Sequence, residues 1–251
     1  MHTILQIALL LFSINTTQVF KYKSESNNSA KTAKDTSNTV VQNPIEKRYA
    51  ILDLEKSGLS LELFKKGMAG YLNLKSEGKV KKDVITLVDF EKSSTEKRMW
   101  IIDLAKNVVV KNTLVAHGKN SGELNASAFS NTPNSFCSSL GCYITTDTYI
   151  GKHGLSLKLA GLDEDFNSNA ESRYIVLHGA SYVSEDFIKC NGRLGRSHGC
   201  PAVSENENSE IIELIKGGSF LFINGSSENY SSHYINEETL TKKLEFLPPT
   251  I

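Results

Sequence analysis

Arg193-Leu194-Gly195-Arg196-Ser197-His198-Gly199-Cys200-Pro201 is the stretch on which the whole chain turns, and its partner lies upstream at Val176-Leu177-His178-Gly179-Ala180. Thiol catalysis needs a sulfur nucleophile, an imidazole to take its proton and donors for an oxyanion. Cys200 supplies the sulfur. Arg193, Arg196 and His198 stand close by in sequence, and positive charge lowers a thiol pKa. Gly199 lets the backbone come near a substrate carbonyl, so the amides of Gly199 and Cys200 are candidate oxyanion donors. His178 closes a predicted strand, a rigid place from which a side chain can face a cleft. Each residue also has a plainer reading, as an inert buried thiol or a hydrogen-bonded structural imidazole.

Around this pair the periodicity is that of short strands. Val84–Val88, Met99–Leu104, Val108–Val110, Tyr143–Thr146, Leu155–Leu159, Tyr174–His178 and Phe220–Ile223 are apolar, rich in β-branched residues and bounded by turn residues. Ala105-Lys106-Asn107 suits a hairpin. Ser204 followed by Glu207 predicts a capping box, opening a helix through Ile211, Ile212, Leu214 and Ile215 that Gly217-Gly218 ends. Upstream, Ser60 is the predicted N-cap of a helix through Leu63, Phe64, Met68, Tyr71 and Leu72, with Gly78 at its end. The fold class is therefore mainly β (α+β). A helical segment over 45–82 reads as an appendage to a domain over 83–228, and 229–251 as a C-terminal tail.

The first 20 residues predict a signal peptide or membrane anchor. Ile4 to Leu11 is apolar except for Gln6 and too short to span a bilayer. Residues 21–44 are polar and rich in Ser, Asn, Lys and Thr, the composition of a flexible linker. Export to the periplasm or cell envelope follows from that leader. Lys+Arg and Asp+Glu are equal at 28 each, which gives no electrostatic reason to expect nucleic acid. Cys137 and Cys142 suit either a short-loop disulfide or two free thiols, and Cys190 would silence Cys200 by pairing with it.

His178, followed after 18 residues by Ser197-His198-Gly199-Cys200, resembles the signature of the L,D-transpeptidases, the YkuD-like fold. Val115–Gly122, Phe129–Asn131, Ser138–Gly141, Gly151–Gly154 and Gly192–Ser197 look like a murein L,D-transpeptidase catalytic-domain subfamily, so the resemblance covers roughly 45–224. It implies that Cys200 attacks a peptidoglycan stem tetrapeptide, releases D-alanine and forms a thioester. An amine of a second stem then makes a 3→3 cross-link. It also implies His178 as base, held through the Gly179 carbonyl, with His198 and Gly199 beside the sulfur. Ser197, Arg196, Arg193, His153 and His117 are candidate substrate-binding residues, and neither cofactor nor metal is required. The chain departs from the pattern after Cys200, where Pro201-Ala202-Val203 replaces an aliphatic residue and an Arg or Asn. Hydrolysis of the same bond therefore stays open. So do two other classes: a metal site built from His153, His178, His198 and Cys200, and a non-catalytic wall-binding module. The oligomeric state is not legible.

Overall fold

Successive residues of the central strands belong to two different cores. Ile85, Leu87, Trp100, Ile102, Phe220 and Phe222 are packed in one apolar cluster. Their neighbours Val88, Met99, Ile101, Leu221 and Ile223 are packed in another. Side chains alternate across a strand, so a run that is apolar at every position marks a sheet covered on both faces. The computed structural model describes residues 43–236 and 240–249 and shows such a sheet.

The elements in chain order are α1 (Pro44–Ile51), α2 (Leu61–Ser76), β1 (Val84–Asp89), β2 (Met99–Asp103), β3 (Val108–Thr113), β4 (Gly141–Gly151), β5 (Gly154–Gly161), β6 (Val176–Ala180), α3 (Glu185–Asn191), β7 (Ala202–Ser204), α4 (Glu205–Ile215) and β8 (Phe220–Asn224). The sheet has eight strands in the order β3-β2-β1-β8-β4-β5-β6-β7. β1–β8 and β6–β7 run parallel, and the other neighbours antiparallel. Fold class and resemblance agree with this architecture: mainly β, with few helices, YkuD-like. Two short elements escaped the sequence reading, α3 and β7.

Helix α2 covers one face. The Ser60 hydroxyl accepts from the Leu63 amide at 3.2 Å, as a cap does. At the other end the amide of Lys79 donates to Leu74 O and that of Gly78 to Lys75 O, with Gly78 at φ +72°, the paired closure typical of a left-handed C′ residue. A Cβ on Gly70 would lie 2.5 Å from the Phe220 ring. Helix and sheet touch there as closely as glycine permits. The helical segment is thus not an appendage: α2 puts Leu63, Phe64, Met68, Tyr71 and Leu72 into the same core as β1, β2 and β8. The tail also joins that core, through Tyr234 and Leu240. Leader and linker lie outside the described residues, except Asn43 and Pro44, which cap and open α1. No helix among the described residues is long and apolar enough to cross a membrane.

Helix α4 covers the other face with Ile211, Ile212 and Ile215. Ser204 is its N-cap residue but makes no side-chain cap bond. The predicted box fails because Glu207 is engaged elsewhere. Its carboxylate accepts from Thr113 Oγ1 at 2.5 Å and pairs with Lys111 at 3.5 Å, which ties the helix to β3. Strand β7 is not left bare: Ala116 bridges Ala202 on its far side. That edge holds the segment leading into it, residues 193–201, in place.

Candidate active site

The parallel β6–β7 pair sets the geometry. His178 is in register with Ala202, two residues beyond Cys200, and with Ser156 on β5. His178 and Cys200 line one cleft of about 390 Å³, together with Phe136, Lys152, His153, Arg173, Tyr174, Tyr182, Arg196, Ser197 and His198. The sequence therefore brings its candidate nucleophile and base into one cavity by strand pairing, although 21 residues lie between them.

His178 is 2% exposed. Its Nδ1 is 2.8 Å from the Gly179 carbonyl oxygen, which can only accept. The proton of the neutral ring therefore sits on Nδ1, and Nε2 keeps its lone pair. Burial lowers the His178 pKa, the bond to Gly179 opposes that, and His153 and Lys152 push it down further. His153 lies on the two-residue turn between β4 and β5, and its ring is stacked on that of His178 with centroids 4.3 Å apart.

Cys200 Sγ accepts from the Val176 amide at 3.5 Å and donates to Tyr174 O at 3.6 Å. Burial pushes its thiol up, while the Val176 amide, Arg173 and Lys152 pull it down. This corrects the sequence expectation: Arg193, Arg196 and His198 are not the cations that act on the sulfur, and burial outweighs those that do. Among the described residues no hydrogen bond joins Sγ to the His178 ring. In free thiol enzymes this contact commonly tightens only once substrate is bound.

The turn before Cys200 is built by Ser197. Its hydroxyl donates to Cys200 O at 2.6 Å and accepts from the Gly199 amide at 3.0 Å. The Gly199 amide is thus occupied and is not a free oxyanion donor, which corrects one half of that expectation. Gly199 itself is required: its φ is +120°, and a Cβ would lie 2.6 Å from Cys137 O. His198 is exposed in the cleft and packs on Phe136, with centroids 4.6 Å apart.

Three expected positions turn out differently. His117 does not line the cleft. It is 1% exposed, its Nδ1 accepts from Arg98 at 2.9 Å and its Nε2 donates to Gly122 O at 3.2 Å. Burial, reinforced by the Arg98 charge, lowers its pKa to about 4, so it is a neutral structural ring. Arg193 also lies outside the cleft lining, with Nε paired to Glu123 at 2.9 Å. Arg196 lines the cleft, but its Nη1 is held by Lys119 O, Gly122 O and Glu123.

Sequence reasoning missed Arg173, Lys152, Tyr174 and Tyr182. Arg173 donates to Ser130 O at 2.6 Å, to Ser139 Oγ, to Ser135 Oγ at 3.2 Å and to Cys137 O at 2.7 Å, pinning 130–139 beneath Gly199. Tyr182 packs on Gly195, and burial pushes its hydroxyl up to about 12. For Arg173 nothing local marks the role, since its partners are carbonyls and serine hydroxyls more than thirty residues away; the other three are brought to the cleft by the fold. All four cysteines are free. Cys142 is buried in the α2-side core, so no Cys137–Cys142 bridge forms. Among the described residues no group of three His, Cys, Asp or Glu side chains is placed to hold a metal ion.

Comparison with known proteins adds the lineage. No curated protein matches the sequence. Among solved structures the chain is similar to an L,D-transpeptidase from Mycobacterium smegmatis at 11% identity and TM-score 0.34, covering 57% of this chain and 59% of that one. It is also similar to an L,D-transpeptidase from Stackebrandtia nassauensis at 16% identity and TM-score 0.33, covering 74% and 78%. The chain thus spans less than two thirds of the M. smegmatis protein's length. The model of the L,D-transpeptidase catalytic domain matches residues 55–224. That match takes in both core faces and the whole cleft, and the chain belongs to the L,D-transpeptidase catalytic-domain family.

Proposed function

We propose that this protein is a cysteine-dependent peptidoglycan L,D-transpeptidase, exported to the bacterial cell envelope, with Cys200 as nucleophile and His178 as base. The observation that carries the reading is the Nδ1–Gly179 bond. It leaves Nε2 as the basic nitrogen of a ring that shares a cleft with the thiol.

With the thiol pushed up and the imidazole pushed down, both groups rest neutral. The proton moves during attack, as in general-base catalysis, and not beforehand into an ion pair. Sγ bonds to the carbonyl carbon that precedes the terminal D-alanine, and its proton passes to His178 Nε2. The Cys200 amide, which makes no hydrogen bond to another residue among the described residues, is the available donor for the developing oxyanion. The carbon–nitrogen bond then breaks. The amine of D-alanine leaves with the proton from His178, and a thioester remains on Cys200. An amine of a second stem, losing a proton to His178, attacks the thioester; the carbon–sulfur bond breaks, the Cys200 sulfur takes the proton back from His178, and the 3→3 cross-link is formed.

The test is intact-mass analysis of the protein with a stem tetrapeptide, with and without an amine acceptor. The reading expects a tripeptidyl adduct on Cys200, release of D-alanine and a cross-linked product when acceptor is present. An adduct that turns over equally fast without acceptor would make the protein a hydrolase. No adduct and no D-alanine would refute the reading.

A further inference from the structure

Among the described residues, the arginines around Cys200 are engaged, and the lysine that lines its cleft is not. Arg196 is held by Glu123 and two carbonyls, and Arg193 by Glu123. Arg173 is held by two hydroxyls and two carbonyls. Lys152 lines the same cleft, is exposed, and has neither a hydrogen bond nor an ion pair among the described residues. Among the described residues no carboxylate lines this cleft. Asp147 and Glu171 belong to the neighbouring one, across Tyr149 and Tyr174.

We propose that Lys152 binds the C-terminal carboxylate of the donor peptide and is the side chain that selects a donor acid over its amide. This rests on the reading of Cys200 as an acylating thiol.

Three features support it. A carboxylate is the natural counter-ion for an unpaired ammonium in a cleft without acids, and a charged partner roughly doubles the strength of a hydrogen bond. Lys152 sits on the two-residue turn that joins β4 to β5, between Gly151 and Gly154, beside the His153 ring that covers His178. Its position is therefore set by the same strands that hold the base. His153, His178, His198 and Cys200 line the same cleft, and its charge acts on all four. The leaving residue carries its carboxylate three bonds beyond the scissile carbonyl, so that carboxylate enters the cleft that Lys152 and Cys200 both line. There is a chemical consequence. An unpaired ammonium lowers the proton affinity of His178, and an arriving carboxylate cancels that effect, so the base strengthens when the correct donor is bound.

The test is a cycle of two peptides and two proteins, read as binding to the full chain carrying Cys200→Ala, with or without Lys152→Gln. The peptides are a stem tetrapeptide with a free C-terminal carboxylate and the same peptide with a C-terminal amide. Lys152 should bind the acid about tenfold more tightly than the amide, roughly the worth of one charge-assisted hydrogen bond. Lys152→Gln should bind both at the level of the amide. Alkylation of Cys200 by neutral iodoacetamide in the single variant Lys152→Gln should stay within the range set by the lost charge, showing the thiol and fold intact. Equal discrimination in both proteins would overturn the proposal, as would none in either or no measurable binding of either peptide. Failure of the native protein to form an acyl-enzyme would instead strike the functional reading.

Discussion

The rings of His153 and His178 are stacked 20° from parallel, with centroids 4.3 Å apart, so the exposed imidazole on the β4–β5 turn forms the cover of the buried one on β6. His153 opposes the protonation of His178, and burial lowers both. His178 stays neutral, and so able to accept the thiol proton, below the pH at which a free histidine charges. The acid limb of Cys200 acylation should therefore lie below about 6.5, the ordinary histidine value. His153→Ala uncovers the ring and removes the opposing charge, so that limb should move up. His153→Phe keeps the cover and should leave the limb nearer its native position. A pH profile of acylation rate for the three proteins decides this. Superimposable profiles would show that the stack has no hold on the base.

Arg173 does two things from one place. It pins 130–139 through four hydrogen bonds, and its charge opposes the rise of the Cys200 thiol. Arg173→Met should shift iodoacetamide alkylation of Cys200 to higher pH. It should also cost roughly 1 to 3 kcal/mol of stability, because partly buried acceptors lose a charged donor. Arg173→Lys should recover part of the alkylation shift but little of the stability, since an ammonium cannot reproduce a planar four-way fork. A Met variant with native alkylation would confine Arg173 to a structural role.

His117 gives a stability prediction independent of catalysis. Its ring binds a proton near 6.5 when unfolded and near 4 when folded. Between those values the unfolded chain carries more protons, so stability falls as pH falls from about 6.5 to about 4, by roughly 3 kcal/mol. Urea unfolding at pH 7 and pH 4.5 should show this loss in the native protein and a smaller loss in His117→Gln. Equal losses would mean that the acid sensitivity lies elsewhere.

What was legible in the sequence follows from what each signal depends on. The core strands and α2 could be read because their patterns are local: β-branched runs, Ser60 at one helix end and Gly78 at the other. The pair Cys200 and His178 could be singled out as candidates because glycine-rich turns, a strand end and the family resemblance mark it. The Ser204–Glu207 box was misread because Glu207 found Thr113 and Lys111, partners on another strand that no local pattern reveals. His117, open between a cleft and a structural role, could not be placed for the same reason. Its neighbours in sequence are loop-like, yet the buried Arg98 guanidinium fixes its role. The cations that act on the thiol, Arg173 and Lys152, come from other segments, whereas the sequence offered Arg193 and Arg196, which Glu123 occupies. The helical segment looked separate because its apolar stripe is complete in itself; the sheet it covers lies beyond it in the chain.

The central claim is that Cys200 is an accessible acylating thiol served by His178. Intact-mass spectrometry of the protein with a carbapenem, beside Cys200→Ala and His178→Ala, tests it most directly. The account predicts a stable single adduct on the native protein, none on Cys200→Ala, and adduct formation at least a hundredfold slower on His178→Ala, as loss of a positioned base implies. An unmodified native protein whose Cys200 is nonetheless alkylated by iodoacetamide would contradict it, as would an adduct that persists in Cys200→Ala.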